Sequence, residues 1–339
     1  MRGVVLHAAG DVRVEEREDP TIVEPTDAII RIAATCICGS DLWPYRGIEQ
    51  VHDAVMGHEY VGVVEEIGAE VRTVQRGDFV VGSFWASDNT CEICEAGYQS
   101  FCVHRVLMGT IGTQATKARI PLADGTLVAT PGQPDADQIP SLMAASDVLG
   151  TGWFAAVAAE VGPGKTVAVV GDGAVGLLGV LAAKQLGAER IIVSSRHADR
   201  QALAREFGAT EIVEERGDGF VAKVKQLTGG LGAHSTIEAV GTQEAMDQAI
   251  AATRPGGHLG FVGVSHDLRI TGDTLFLCGV SIHGGPAPVR RFLPELIRLI
   301  WDRRIDPGRV FDLTLPLEQA AEGYRAMDER RAVKVLLTV

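Results

Sequence analysis

No run of this 339-residue chain approaches the roughly 18 consecutive apolar residues that a membrane-spanning helix needs. The stretch Met1 to Gly10 lacks both a long apolar run and a cleavage pattern, so no signal peptide is expected and the expected location is the cytoplasm. Positive charge is in deficit: 31 Lys and Arg stand against 44 Asp and Glu, a net charge of −13. That balance argues against nucleic acid and anionic membrane as partners, while leaving room for a local basic pocket around a phosphate. Internal repeats, low-complexity tracts and long charge runs are missing too. The composition is that of a soluble globular protein, 46% hydrophobic and 22% charged. The length suffices for two domains, each with its own core.

Cysteine is scarce but clustered. Cys36 and Cys38 lie together, Cys91, Cys94 and Cys102 share one polar loop, and Cys278 stands apart. In a cytosolic chain of this size, such clustering points to metal more than to disulfides.

Two rhythms divide the chain. The first 145 residues read mostly as β: Arg2–His7, Val12–Glu16, Asp27–Ala34, Tyr60–Ile67 and Phe79–Gly82 are short runs separated by Gly, Pro and Asp. This pattern suits a small, partly open β-barrel. From Lys165 onward, strand and helix patterns alternate: Lys165–Val170, Ala174–Leu186, Arg190–Ser194, Ala198–Phe207, Glu211–Val213, Phe220–Leu227, Ser235–Val240, Gln243–Thr253 and His258–Val264, with Val280–His283 as a sixth strand. Alternation of this kind calls for a doubly wound parallel sheet. The tail, with a helix at Val289–Trp301 and strands at Phe311–Leu315 and Val333–Val339 around the helix Glu318–Met327, is expected to rejoin the first domain. The expected domains are therefore residues 1–148 with 287–339, and residues 149–286. Gly284-Gly285-Pro286 reads as the hinge between them.

Gly171-Asp172-Gly173-Ala174-Val175-Gly176 follows a strand and opens a helix. That context makes G-x-G-x-x-G a dinucleotide signature: Gly171 permits the tight turn, Gly173 the approach of a pyrophosphate, and Gly176 the packing of helix on sheet. The helix start adds free N–H groups and partial positive charge. The second strand ends in Ser194-Ser195-Arg196-His197, with no acid where an NAD site usually has one. Hydroxyls and a guanidinium suit a 2′-phosphate, so NADP is expected over NAD.

Upstream, Cys38 and His58 offer a thiolate and a neutral imidazole, both common zinc ligands. A catalytic zinc takes three protein ligands and keeps one position open. Glu59 and Asp147 are the candidates for the third. Neighbours on a strand point to opposite faces, which counts against His58 and Glu59 acting together. Asp147 lies just before the nucleotide domain.

Cys38-Gly39-Ser40-Asp41, Gly57-His58-Glu59, the cysteine loop and Gly171–Gly176 together resemble the medium-chain zinc-dependent alcohol dehydrogenases, in order and over nearly the whole chain. The resemblance implies a GroES-like catalytic domain joined to a Rossmann-type domain. It implies catalytic zinc on Cys38, His58 and Asp147, as in the bacterial NADP-preferring branch, with Glu59 as an alternate ligand. Ser40 passes the alcohol proton outward, and Asp41 orients the zinc-binding His58. By the same resemblance Lys334 contacts the cofactor phosphates and Thr151 lies near the nicotinamide. The family's structural zinc lobe has four Cys; here Cys91, Cys94 and Cys102 fill three positions and Asp88 the first. The lobe either binds zinc through three thiolates and a carboxylate or has lost it.

The implied reaction is hydride transfer between a nicotinamide cofactor and an alcohol, ketone or aldehyde, by a homodimer or homotetramer. A polyol or aldehyde-type dehydrogenase of the same fold is the alternative. A non-catalytic nucleotide-binding protein is the other, and retention of Cys38, His58 and Asp147 counts against it. Trp43 stands where many relatives carry a His that continues the proton path. Trp43 and Tyr45 either line a substrate pocket or pack the loop. The segment Gly112–Ala118 departs from the family's usual run and carries no functional assignment.

Overall fold

The computed structural model describes residues 1–265 and 267–339; His266, which the sequence leaves unassigned, lies outside them. The chain divides into two compact units, Met1–Gly150 with Pro288–Val339, and Thr151–Ala287.

The first unit is built on short strands. Its larger sheet runs in the order Leu127–Ala129, Phe79–Gly82, Tyr60–Ile67, Ala28–Ile37, Val335–Thr338 and Leu313–Pro316, with Lys117–Ile120 also paired to Ala28–Ile37. Asp11–Glu16, Arg2–Ala8 and Ala54–Val55 form a second sheet. Most of these strands are antiparallel, but Leu313–Pro316 pairs parallel to Val335–Thr338. Two apolar clusters fill the unit, one around Leu6, Ile37, Tyr324 and Val335, the other around Ile30, Ile32, Tyr60, Val80 and Ile120. Burying each such side chain contributes about 1.5–3 kcal/mol. The C-terminal strand pairs Val335 with Ile37 and Leu336 with Cys36, which carries Lys334 to the turn that holds Cys38.

The second unit is a parallel sheet in the order Glu211–Val213, Arg190–Ser194, Thr166–Val170, Ala233–Glu238, Thr253–Phe261 and Ser281–Gly284. Residues 167–170 of strand Thr166–Val170 and the middle of Arg190–Ser194 are continuously apolar, as suits a parallel sheet that helices cover on both faces. This order is that of the Rossmann-type doubly wound sheet, reversing direction at Thr166–Val170, where the glycine turn follows.

Several helices escape the sequence reading, among them the short Gly272–Leu277 and a longer consecutive pair. Ile139–Ala145 and Val148–Ala158 are too uniformly apolar to show a 3.6-residue stripe, and they meet at a break that contains Ser146 and Asp147. Among the described residues, no single helix is long and apolar enough to cross a membrane.

Candidate functional site

The chain turns sharply after strand Ala28–Ile37, and Asp41 stabilises the turn by accepting the Cys38 N–H at 2.9 Å through Oδ2. His58 and Glu59 lie in the irregular segment before strand Tyr60–Ile67. Asp147 is held by its neighbour: Ser146 Oγ donates to the Gly82 carbonyl at 2.6 Å and accepts the Tyr60 N–H at 3.0 Å. Three distant parts of the chain thereby converge. One donor atom each from Cys38, His58, Glu59 and Asp147 lies within 4.8 Å of all the others.

Asp147 Oδ2 lies 3.4 Å from His58 Nε2 and 3.9 Å from Cys38 Sγ. Donors at zinc bond lengths in a tetrahedron stand about 3.3–3.8 Å apart, so the three groups fit such an ion. The other ring nitrogen, His58 Nδ1, faces Asp41 Oδ1 at 3.4 Å. That leaves Nε2 for a metal, with a carboxylate behind the imidazole to orient it. Burial opposes a charged His58, but Asp41 and Asp147 outweigh it and lift the imidazole pKa well above its ordinary value.

The expectation that His58 and Glu59 point apart is not met. His58 Nε2 and Glu59 Oε1 are 4.0 Å apart, because the strand's alternation begins only at Tyr60. Glu59 Oε2 is buried without a hydrogen-bond partner, whereas Oε1 accepts from Lys334 Nζ at 2.7 Å. Lys334, expected at the cofactor phosphates, is instead 1% exposed with its ammonium on Glu59 and on the Ile37 carbonyl at 3.3 Å. A buried ammonium must be paired, and the C-terminal strand's register supplies this partner. Ser40 is half-buried in the turn after Cys38. Trp43 begins no second proton station, since an indole only donates. Tyr45 packs on Tyr324, with ring centroids 5.4 Å apart, and belongs to the core.

Gln114 is a site residue that the sequence did not reveal. Its Nε2 donates to Asp41 Oδ2 at 3.1 Å and to the Cys36 carbonyl at 3.0 Å, while its Oε1 accepts from the Tyr324 hydroxyl at 2.9 Å. Gly57, at φ +96°, makes room for it: a Cβ there would stand 2.5 Å from the Gln114 nitrogen. The segment Gly112–Ala118 thus has a role in buttressing Asp41.

The second cluster gathers Asp88, Cys91, Cys94 and Cys102, again with donor atoms within 4.8 Å. Cys91 and Cys102 sulfurs are 3.9 Å apart, the spacing of thiolates around one zinc and not of a disulfide. Asp88 Oδ1 accepts the N–H groups of Thr90 and Cys91, and Oδ2 faces His104 Nδ1 at 2.7 Å. Burial works against the Asp88 charge, yet these partners hold its pKa well below the usual carboxylate range. Burial pushes the Cys94 thiol up.

In the other unit, Gly171 adopts φ +115°, and a Cβ on Gly176 would lie 2.0 Å from the Gly171 carbonyl oxygen. A Cβ on Gly173 would meet nothing within 4 Å, so the turn keeps an open face at the start of helix Ala174–Gln185, whose first residues are Ala174 and Val175. This open cradle fits a pyrophosphate. Ser194 ends its strand, Ser195 is buried and Arg196 is exposed. Thr151 is buried in helix Val148–Ala158.

Residues 24–132 match the family described as alcohol dehydrogenase GroES-like domain, and residues 174–302 match zinc-binding dehydrogenase. The chain is 34% identical over 349 residues to zinc-type alcohol dehydrogenase B of Aspergillus flavus, covering 99% of this chain and 81% of the relative. It is 30% identical over 362 residues to an alcohol dehydrogenase of Cupriavidus necator, covering 98% and 96%. Alcohol dehydrogenase TADH from Thermus sp. ATN1 superposes with a TM-score of 0.92 at 32% identity, covering 100% of both chains. With both domain families matched in order and relatives this similar over almost their full length, the chain belongs to the medium-chain zinc-dependent alcohol dehydrogenases and is an NAD(P)-dependent oxidoreductase.

Proposed function

We propose that the protein is a zinc-dependent alcohol dehydrogenase that prefers NADP and also reduces ketones or aldehydes. The observation that carries the metal part is the convergence of Cys38, His58 and Asp147 at distances suited to one zinc ion. When bound, zinc supplies Lewis acidity toward an alcohol or carbonyl oxygen, and the nicotinamide supplies or accepts hydride.

The chain's own residues do the rest. Asp41, braced by Gln114, holds His58 by its far nitrogen. Glu59 is the alternate ligand, kept aside by Lys334. Ser40 carries the substrate proton away from the site, and Trp43, whose indole only donates, takes no part in the relay beyond it. Gly171, Gly173 and Gly176 with Ala174 and Val175 form the pyrophosphate turn, and Thr151 is assigned to the nicotinamide end by family resemblance. Ser194, Ser195 and Arg196 favour a 2′-phosphate, and the guanidinium of Arg200 adds to the cationic side of this end. Asp88, Cys91, Cys94 and Cys102 hold a structural zinc.

A homodimer or homotetramer in the cytoplasm fits the same reading. Strand Ser281–Gly284 ends its sheet, and Phe276 and Leu277 are 87% and 78% exposed. The test is a panel of primary alcohols, secondary alcohols and polyols with both cofactors. Higher kcat/KM with NADP is expected; a strong preference for NAD overturns that part. A Cys38→Ser variant with unchanged alcohol oxidation overturns the zinc assignment.

A further inference from the structure

The end of strand Arg190–Ser194 carries no acid of its own, but the fold delivers one from the neighbouring strand. Thr166–Val170 and Arg190–Ser194 pair parallel, with Val170 opposite Ser194. Asp172, two residues past Val170, therefore comes alongside Ser195. The Ser195 hydroxyl donates to Asp172 Oδ2 at 2.8 Å, and Arg200 Nη1 donates to Oδ1 at 3.1 Å. Asp172 is 9% exposed, so these contacts are sheltered from water. Arg196 lines an open cavity of about 570 Å³ together with Gln201, Arg205, Ile212, Glu214 and Glu215.

This arrangement changes what Ser195 and Arg200 can offer a ligand. The Ser195 proton is directed to a carboxylate and not outward, and the Arg200 charge is partly offset. Each carboxylate oxygen accepts up to two hydrogen bonds, so Asp172 retains acceptor capacity beyond these partners. A ribose 2′-hydroxyl can use it; a 2′-phosphate, itself anionic, is repelled by it.

We propose that Asp172, the middle residue of the glycine turn, is the specificity-determining residue of the adenosine end: it accepts the 2′-hydroxyl of NAD and restrains the preference for NADP that Arg196 and Arg200 create. The protein accordingly uses both cofactors. This rests on the reading of the turn as a dinucleotide site, and it predicts that the selectivity is a balance moved by one carboxylate.

The experiment uses the full chain and two probes that need no catalysis, ADP and adenosine 2′,5′-bisphosphate, with dissociation constants from calorimetry. Asp172→Asn is expected to weaken ADP about tenfold and to tighten the bisphosphate by a similar factor, because a hydrogen bond to a charged group and a like-charge repulsion are both lost. Arg200→Gln, at a partly buried position of its helix, is expected to do the reverse to the bisphosphate, weakening it about tenfold while ADP changes little. KM values for NAD and NADP should follow the same opposite directions. Equal changes for both probes in Asp172→Asn, or none, overturn the proposal. If Asp172→Asn does not fold, an Arg200→Gln that weakens both probes alike overturns it. The wild-type ratio of the two probes tests the NADP preference separately: wild type binding ADP more tightly ends that preference, while the shift between variants still judges Asp172. Binding of neither probe to wild type ends the dinucleotide reading and this proposal with it.

Discussion

Lys334 Nζ lies 2.7 Å from Glu59 Oε1, and both side chains are 1% exposed. This is a buried ion pair made across 275 residues of sequence. Such a pair is balanced between desolvation and attraction, so removing one partner costs far more than removing both. Lys334→Met is expected to lower the unfolding free energy by about 3–5 kcal/mol, and the double variant Lys334→Met with Glu59→Gln to recover much of it. Denaturant unfolding of the four proteins of the cycle measures this. Additive losses would show that the two groups act independently.

Gln114 braces Asp41, which braces His58. Outer partners of metal-bound histidines are worth 10–100-fold in affinity by general experience. Gln114→Leu, which leaves the Tyr324 hydroxyl and the Cys36 carbonyl without their partner, should weaken zinc binding by about that factor. Competition with a chromophoric chelator provides the readout. Unchanged affinity would reduce Gln114 to a packing residue.

The two clusters predict about two zinc ions per chain by elemental analysis. About one would leave the Asp88, Cys91, Cys94 and Cys102 lobe without metal. Chelation should raise the number of rapidly titrated thiols, because three of the six cysteines sit in this lobe.

Asp124 connects pH to stability away from the metal. Its Oδ1 accepts the Thr73 N–H and hydroxyl, and both oxygens accept the Arg72 N–H. Burial alone would raise its pKa, but these donors leave it below the ordinary value. A depressed folded-state pKa means the contribution is fully present above the unfolded value of about 3.9 and fades as pH falls through the folded one. Asp124→Asn should therefore lower Tm at neutral pH, with the difference from wild type shrinking below pH of about 4. A difference that persists undiminished in acid would rule out the charge as its source.

Much of the fold was legible because its signals are local. The glycine turn and the strands and helices around it depend on short-range rules: φ preference at Gly171, apolar strands, helix ends at Gly187 and Gly208. The helices Ile139–Ala145 and Val148–Ala158 were missed for the complementary reason. Both are apolar on nearly every side, so periodicity carries no information about them. His58 and Glu59 were expected to point apart because strand alternation was extended one step too far.

By itself the sequence determined the residue types that can do this chemistry: a thiolate, an imidazole and carboxylates for a metal, and a glycine turn for a pyrophosphate. It did so because each is a property of a side chain or of a few consecutive φ angles. Tertiary structure decided who stands next to whom. Pairing of Val335 with Ile37 delivered Lys334 to Glu59, the open space at Gly57 admitted Gln114 to Asp41, and parallel pairing of Val170 with Ser194 set Asp172 beside Ser195. Those contacts arise from strand register over long separations, where burial and hydrogen-bond satisfaction of the whole fold, not local preference, select the neighbour.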